Sequence, residues 1–425
     1  MLYIVSIRSS EERDGVRAPA PLSVVAVCFL VVVFDGYDLI VYGASVPDLL
    51  HEPGWHLNAS RVGGIASWTL FGMLLGALSA GVLADRLGQR RLILTGVSWF
   101  SLAMIACAAA PGPDALRALR FLAGLGLGGV IPSAIALTMA HAPTGRRQLY
   151  NALMFAGYPV GGVLAAALAR WLLADHGWRL LFGLGAAPLL LVLPLAWWVL
   201  PDARPVNPVR STPVGAGPRA LFGRDLLAAT VLFGAASFCG LLLVYGLNTW
   251  LPQLMRRAGY DLGTALTFLI VLNCGAIVGA VCAALPADRF GAKRTAVASF
   301  AVAVGSLIVL SHRLDQGWLF LAVGCAGFGS VGTQILVNGY LAAHYPAPVR
   351  GAALGWALGV GRAGAILGPT LGGWLLDAGF GFRSNFYTFA GVAAAGLLAV
   401  AAVPSRRAEP PSEAVLVVER EEQPA

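Results

Sequence analysis

Twelve runs of about 20 apolar residues follow one another along this chain, the length an α-helix needs to cross the hydrocarbon core of a bilayer. Lipid offers no hydrogen bonds, so such a run must satisfy its own backbone N–H and C=O groups, and helix is the form that does so within one segment. The first six lie near 22–46, 62–84, 92–110, 118–140, 149–173 and 180–200. The second six lie near 226–251, 263–285, 295–311, 317–343, 351–376 and 385–403. Between the sets, Pro201–Arg224 is rich in Pro, Gly and Arg and has no apolar period. The expected organisation is an N-terminal tail (1–21), a six-helix half (22–200), a central loop (201–225), a second six-helix half (226–404) and an acidic, disordered tail (405–425). Only 12% of the 425 residues are charged, against roughly 25% in a soluble domain, so the chain is an all-α, polytopic membrane protein. Its 53 glycines suit helices that approach closely in lipid.

A net charge of +8 would suit nucleic acid if the basic residues formed a patch, but they fall in short loops between spans. With the N-terminus inside, the inner segments hold 19 of the 29 Arg and Lys residues, the outer segments eight, and Arg120 and Arg362 lie within spans. This positive-inside bias places both termini in the cytoplasm. Lys293 is the single lysine, and an Arg-, Ala- and Gly-rich chain is what a GC-rich bacterial genome encodes, which points to a bacterial inner membrane. Glu11, Glu12, Arg13 and Asp14 precede an apolar run too long for a cleavable signal peptide. Six cysteines (Cys28, Cys107, Cys239, Cys274, Cys282, Cys325) lie in apolar segments without C-x-x-C spacing and read as packing residues. The six histidines fall at span ends or in loops without metal spacing, so neither metal nor cofactor is expected.

The two halves match under a shift of 203 residues. It aligns Asp85-Arg86-Leu87-Gly88 with Asp288-Arg289-Phe290-Gly291, Arg90-Arg91 with Lys293-Arg294, and Arg147 with Arg350. Gly124, Gly126 and Gly129 fall on Gly327, Gly329 and Gly332. Charged residues are scarce in such a chain, so their agreement argues for an internal duplication.

Chemistry concentrates where charge enters the spans. Asp35 and Asp38 stand inside the first run, each costing roughly 2.5–3.5 kcal/mol at mid-membrane depth. With Tyr42 they fall at i, i+3 and i+7 on one helical face. Such a pair can take up and release a proton; the alternative is a satisfied structural cluster between spans 1 and 4 that includes Arg120. Arg120 is a partner for either aspartate and a candidate for proton coupling. Arg362, mid-span 11 and bracketed by glycines, is the candidate anchor for a substrate carboxylate, which a guanidinium grips through two parallel hydrogen bonds. Ring recognition would draw on Tyr42, Tyr158, Tyr245, Trp356 and Trp68, and a ring hydroxyl on Asn248, Asn273, Gln334 or Asn338.

Gly81-Val82-Leu83-Ala84-Asp85-Arg86-Leu87-Gly88-Gln89-Arg90-Arg91, between spans 2 and 3, closely resembles the loop signature of the major facilitator superfamily. The resemblance implies a gate that stabilises the outward-facing state, with Gly81, Asp85, Arg86, Gly88, Arg90 and Arg91 as its parts and Asp288, Arg289 and Gly291 as a degraded second copy, in which Ala284 and Pro286 replace the signature Gly and Leu. Within that superfamily the chain is similar to the aromatic acid:proton symporters. Asp35-Gly36-Tyr37-Asp38 matches their D-G-[FY]-D, and Gly361-Arg362-Ala363-Gly364-Ala365-Ile366-Leu367-Gly368-Pro369 matches a run in span 11. Pro132–Leu137 resembles the end of span 4, with Ser133 where Asn is usual and Ala140 where an acid is expected. Arg120–Gly129 resembles the superfamily's R-x-x-x-G-x-G run, linked to proton transfer.

The expectation is a major facilitator fold of twelve helices in two pseudo-symmetric halves, monomeric, importing a small aromatic carboxylate such as benzoate or a hydroxybenzoate with protons by alternating access. The substrate class comes from the resemblance alone. Dicarboxylates, shikimate-like acids and drug:proton antiport remain open alternatives. No G-x-x-x-x-G-K-[ST], G-x-S-x-G, paired His or metal cluster occurs, so neither ATP-driven transport nor an enzyme is expected.

Overall fold

The structure is a computed structural model that describes residues 21–143, 146–201, 221–224, 226–282, 287, 289–312 and 314–404. The two tails, nearly all of the central loop and Asp288 lie outside the described residues, as does the side chain of Asp85. The helices are α1 (Pro21–Leu49), α2 (Ala59–Leu87), α3 (Gln89–Ala108), α4 (Pro113–His141), α5 (Arg147–Phe155), α6 (Gly157–Leu184) and α7 (Pro188–Val199). They continue as α8 (Leu227–Arg257), α9 (Leu262–Cys282), α10 (Ala292–Leu310), α11 (Gln316–Gly327), α12 (Thr333–His344), α13 (Ala347–Asp377) and α14 (Phe382–Ala402). Among the described residues there is no strand.

Among the described residues, these fourteen helices make twelve spans for two local reasons. α5 runs straight into α6, because the intervening Ala156 stays helical; the true break is Gly177 inside α6, whose φ of 72° only glycine adopts readily. α11 and α12 are one span joined by a π-helical turn, Phe328–Gly332, a feature that no apolar period announces. Among the described residues, ten stretches are long and apolar enough to cross a membrane; Leu149–Val199 holds two spans, and the Gly-rich α13 with Arg362 is the twelfth.

The 203-residue repeat is visible in the packing. A Cβ on Gly72, Gly76 or Gly124 would strike the backbone at Phe121, Leu125 or Thr69. A Cβ on Gly275, Gly279 or Gly327 would strike it at Gly324, Phe328 or Leu272, which are the same positions one repeat later. α2 therefore sits on α4 as α9 sits on α11, with backbones close enough that dispersion between main chains replaces side-chain interdigitation. The loops after α2 and α9 repeat as well. Gly88 (φ 83°) donates to Ala84 O at 2.9 Å, and Gly291 (φ 91°) donates to Ala287 O at 3.0 Å. Between the halves, α2 runs antiparallel to α13, α1 lies on α8, and α6 lies on α9.

Close packing sets the sign of substitutions. Gly124→Ala should destabilise the detergent-solubilised protein by about 1–3 kcal/mol through overpacking. Gly183→Ala, where nothing lies within 4 Å of a new Cβ, should be neutral or slightly stabilising. Thermal unfolding of the two variants measures the contrast, and equal melting shifts would contradict it.

Candidate functional site

The centre of the bundle is built on α1. Gly36, between the two aspartates, lies against the backbone of Tyr158 in α6, where a Cβ would collide. That contact brings the α1 carboxylates beside a neighbouring span, and Tyr37 secures it by donating its hydroxyl to Leu181 O at 2.8 Å. Asp38 is wholly buried and forms a salt bridge with Arg120, which is 1% exposed. The Arg120 guanidinium also lies 5.3 Å from the Tyr42 ring centre and 5.6 Å from that of Phe182. Tyr42 spends its hydroxyl on Val62 O at 2.7 Å, so it offers the centre a ring face and no free donor. Asp38 and Arg120 thus form a salt bridge within the first half, with Asp38 Oδ2 and Arg120 Nε left without a hydrogen-bond partner.

Asp35 is different. It is 4% exposed, and its Oδ1 has no hydrogen-bond partner. The opposite charge acting on it most strongly is Arg362 of α13, in the other half. Arg362 is half-buried, and its Nη1 likewise has no partner. Tyr245 of α8 lies beside Arg362, and the Tyr158 hydroxyl lies beside Tyr245 without a completed hydrogen bond. A carboxylate from one half and a guanidinium from the other therefore lie within electrostatic reach of each other, each with an atom unpaired, near two phenols. A leftover buried charge of this kind is costly unless something occupies it.

The other expected residues sort around this pair. Tyr42, Arg120, Tyr245 and Asn248 line a central cavity of about 10 Å³, room for about one water. Asn273 sits behind it, donating to Asn248 Oδ1 at 3.1 Å and to Leu269 O at 3.0 Å, so it orients Asn248. Gln334 donates to Asn338 Oδ1 at 3.2 Å and keeps its own Oε1 unpaired. Trp356 lies toward the start of α8, donating to Thr230 O at 3.1 Å and stacking edge-on with Phe222; the structure does not bring it to the Asp35–Arg362 pair. Trp68 packs with Phe71 and Phe121 on an exposed face of α2, also away from the centre.

The loop residues divide. Arg90 donates to Trp197 O at 2.5 Å and lies 5.2 Å from the Trp197 ring centre, closing the end of α7 within its own half. Its repeat equivalent, Lys293, does the same for the end of α14 through Val403 O at 2.6 Å. Arg86, Arg91 and Arg289 are exposed, and Arg289 leans over Phe290. Gly81 is part of α2, and Gly88 and Gly291 are the positive-φ corners described above.

Sequence reasoning did not reach the end of the bundle away from the chain termini, where the halves are bonded together. Asp377, the last residue of α13, accepts from Ala59 N at 2.9 Å and Ser60 N at 2.7 Å, the first two N–H groups of α2. Ser67 donates to Ile366 O at 2.5 Å and meets Thr370 Oγ1 at 2.7 Å, while within the second half Trp250 donates to Pro369 O at 2.7 Å and ties α8 to α13. Towards the other end of α13, Gly351, Gly355 and Gly359 have open space where a Cβ would stand. An Asp before a glycine-rich turn was the only signal, and its partner lies more than 300 residues away in sequence.

Comparisons with known proteins bear on this arrangement. Residues 28–347 and 275–424 match the model of the Major Facilitator Superfamily. A gentisate transporter of Corynebacterium glutamicum is 40% identical over 387 residues, covering 89% of this chain and 86% of the relative. A benzoate transport protein of Acinetobacter baylyi is 34% identical over 430 residues, covering 93% of this chain and 92% of the relative. The crystal structure of a D-xylose–proton symporter superposes with a TM-score of 0.73 at 18% identity, covering 89% of this chain and 96% of that one, and so shares the fold. The chain is a multi-pass membrane protein that belongs to the major facilitator superfamily, in the family of these aromatic-acid transporters.

Proposed function

We propose that the protein imports a small aromatic carboxylate of the benzoate or hydroxybenzoate class together with a proton, by alternating access. The placement is a bacterial inner membrane with both termini cytoplasmic, as the 19-to-eight distribution of basic residues favours. The names of the gentisate and benzoate relatives support the substrate class. The observation that carries the coupling is the unspent pair, Asp35 and Arg362, on opposite halves.

The chemistry follows from competition. An ionised Asp35 and a substrate carboxylate are rivals for the Arg362 guanidinium. Protonating Asp35 removes the rival and leaves Arg362 one positive charge for the incoming carboxylate to neutralise. Binding of the anion in turn favours the proton on Asp35, because two carboxylates beside one guanidinium repel. Proton and anion then enter together and leave together, which is symport. Asp38 stays with Arg120 and holds α1 against α4, so the titrating role falls to Asp35 rather than being shared equally. Tyr245 and Asn248 stand one helical turn apart on α8, about 4.5 Å along its axis, the scale of an aromatic ring. The cavity of about 10 Å³ is too small for such a ring, so loading requires the halves to move apart around it. An outward-going cationic drug would meet Arg362 with repulsion, which disfavours antiport on the same fold.

Asp35→Asn should still bind benzoate, with Kd within about threefold of wild type, yet fail to accumulate it under an imposed pH gradient in proteoliposomes; wild-type accumulation would remove Asp35 from the coupling. Arg362→Lys should weaken benzoate binding about tenfold or more, since a bidentate charged contact contributes about 1.5–3 kcal/mol; an unchanged Kd excludes it as the anchor. Asp38→Asn should cost about 3–5 kcal/mol of stability by stranding Arg120, and Asp38→Asn combined with Arg120→Leu should recover most of it. A double variant no more stable than the single would show that the loss does not come from stranding Arg120.

A further inference from the structure

The α2 N-terminus can be accounted for donor by donor. Of the N–H groups that any α-helix leaves unpaired at its start, Arg61 N donates to Asn58 Oδ1 at 2.9 Å, a local contact, and the first intrahelical bond runs from Val62 N to Asn58 O at 3.1 Å. Ala59 N and Ser60 N have no local acceptor and use the two oxygens of Asp377 instead. Asp377 belongs to the other half. The contrast is Asp261, which caps α9 from the residue before it through Thr264 N at 2.9 Å and moves with its own helix. Asp261 is exposed, and its hydrogen bonds to Thr264 hold its carboxyl below the usual carboxylate range.

We propose that Asp377 is a state-dependent latch: its carboxylate completes the N-terminus of α2 only while the end of the bundle away from the chain termini is shut, and opening that end strands two N–H groups and one carboxylate at once. The helix dipole adds to the bond, since a negative charge at an N-terminus is favourable. Its neighbours close around it. Gly373 lies against the Ala59 backbone, Gly63 against Pro369 O, and Ser67 against Ile366 and Thr370.

The antiparallel register gives the device a counterpart. Residues 59 and 373, 63 and 369, and 67 and 366 stand level with each other on α2 and α13. Carried along both helices, that register brings Asp85, near the C-terminal end of α2, level with Ala347, the first residue of α13. Each helix of the pair thus carries an aspartate near its C-terminus at the level of the other's N-terminus. The loop signature implies a gate at the Asp85 end; Asp377 supplies the matching one at the far end, and the two helices then rock between caps. The inference rests on the alternating-access part of the proposed function and on no particular substrate.

The test needs no substrate. In a background with the six native cysteines replaced, Ser67→Cys reports the far end, where it is buried between the halves, and Gly359→Cys reports the end near the termini. Asp377→Ala should speed labelling of the Ser67→Cys reporter by a membrane-impermeant maleimide about two- to thirtyfold, the range expected from losing an N-cap. Asp377→Asn, which keeps an acceptor without the charge, should give a smaller increase. Labelling of the Gly359→Cys reporter should slow in both variants. Unchanged labelling of the Ser67→Cys reporter would overturn the latch. Faster labelling of both reporters would overturn it too, since a merely loosened fold exposes both ends. If no aromatic acid proves to be carried, the labelling result stands apart from that failure.

Discussion

The structure depends on where buried charge is closed and where it is left open. Four Asp and Arg side chains lie near the centre, and two of them, Asp38 and Arg120, form a salt bridge inside one half. The other two, Asp35 and Arg362, belong to opposite halves, feel each other's charge, and each keep an atom without a partner. Charge buried without a full partner is tolerated only where another occupant, a proton or an anion, completes it in some state. The unbridged groups make the seam responsive to both; the Asp38–Arg120 salt bridge keeps α1 and α4 together while the seam moves.

Movement of two halves against each other requires each half to be stiff, and the small residues provide that. Glycines at equivalent positions of the two repeats place α2 on α4 and α9 on α11 at backbone contact. Contacts of this kind have little freedom to slide, because a shift of one residue puts side chains where only glycine fits. The seam is built differently. At the far end α2 meets α13 through capping and hydroxyl bonds that can break and re-form, with Gly63 and Gly373 letting the backbones approach. Strong within and exchangeable between is the division of labour that alternation requires.

Much of this was legible in the sequence, and the reasons are physical. Spans follow from apolar length, and their observed ends fall within a few residues of the expected ones, except where a π-helical turn and a mid-helix Gly177 leave no hydropathy signature. The repeat was readable because charges such as Asp85, Arg86 and Arg90 are rare enough to align. Asp35, Asp38, Arg120 and Arg362 stood out because each is expensive in lipid. What the sequence could not show was pairing: Asp38 with Arg120 and Asp35 toward Arg362 are matters of which helix faces which. Asn248 and Asn273 illustrate the same limit, since two amides of equal promise turn out as one lining the cavity and one behind it. Arg90 shows it from the other side, a gate-like residue that donates to Trp197 O within its own half. Asp377 was invisible because a cap supplied from more than 300 residues away leaves no local pattern.

The central claim is that proton and carboxylate bind as a linked pair at Asp35 and Arg362. Calorimetry of benzoate binding in buffers of different ionisation enthalpy counts the protons taken up per anion bound. The account predicts close to one proton per benzoate near neutral pH in the wild-type protein and close to none in Asp35→Asn. Binding by the wild-type protein without proton uptake, or uptake unchanged in the variant, would contradict it.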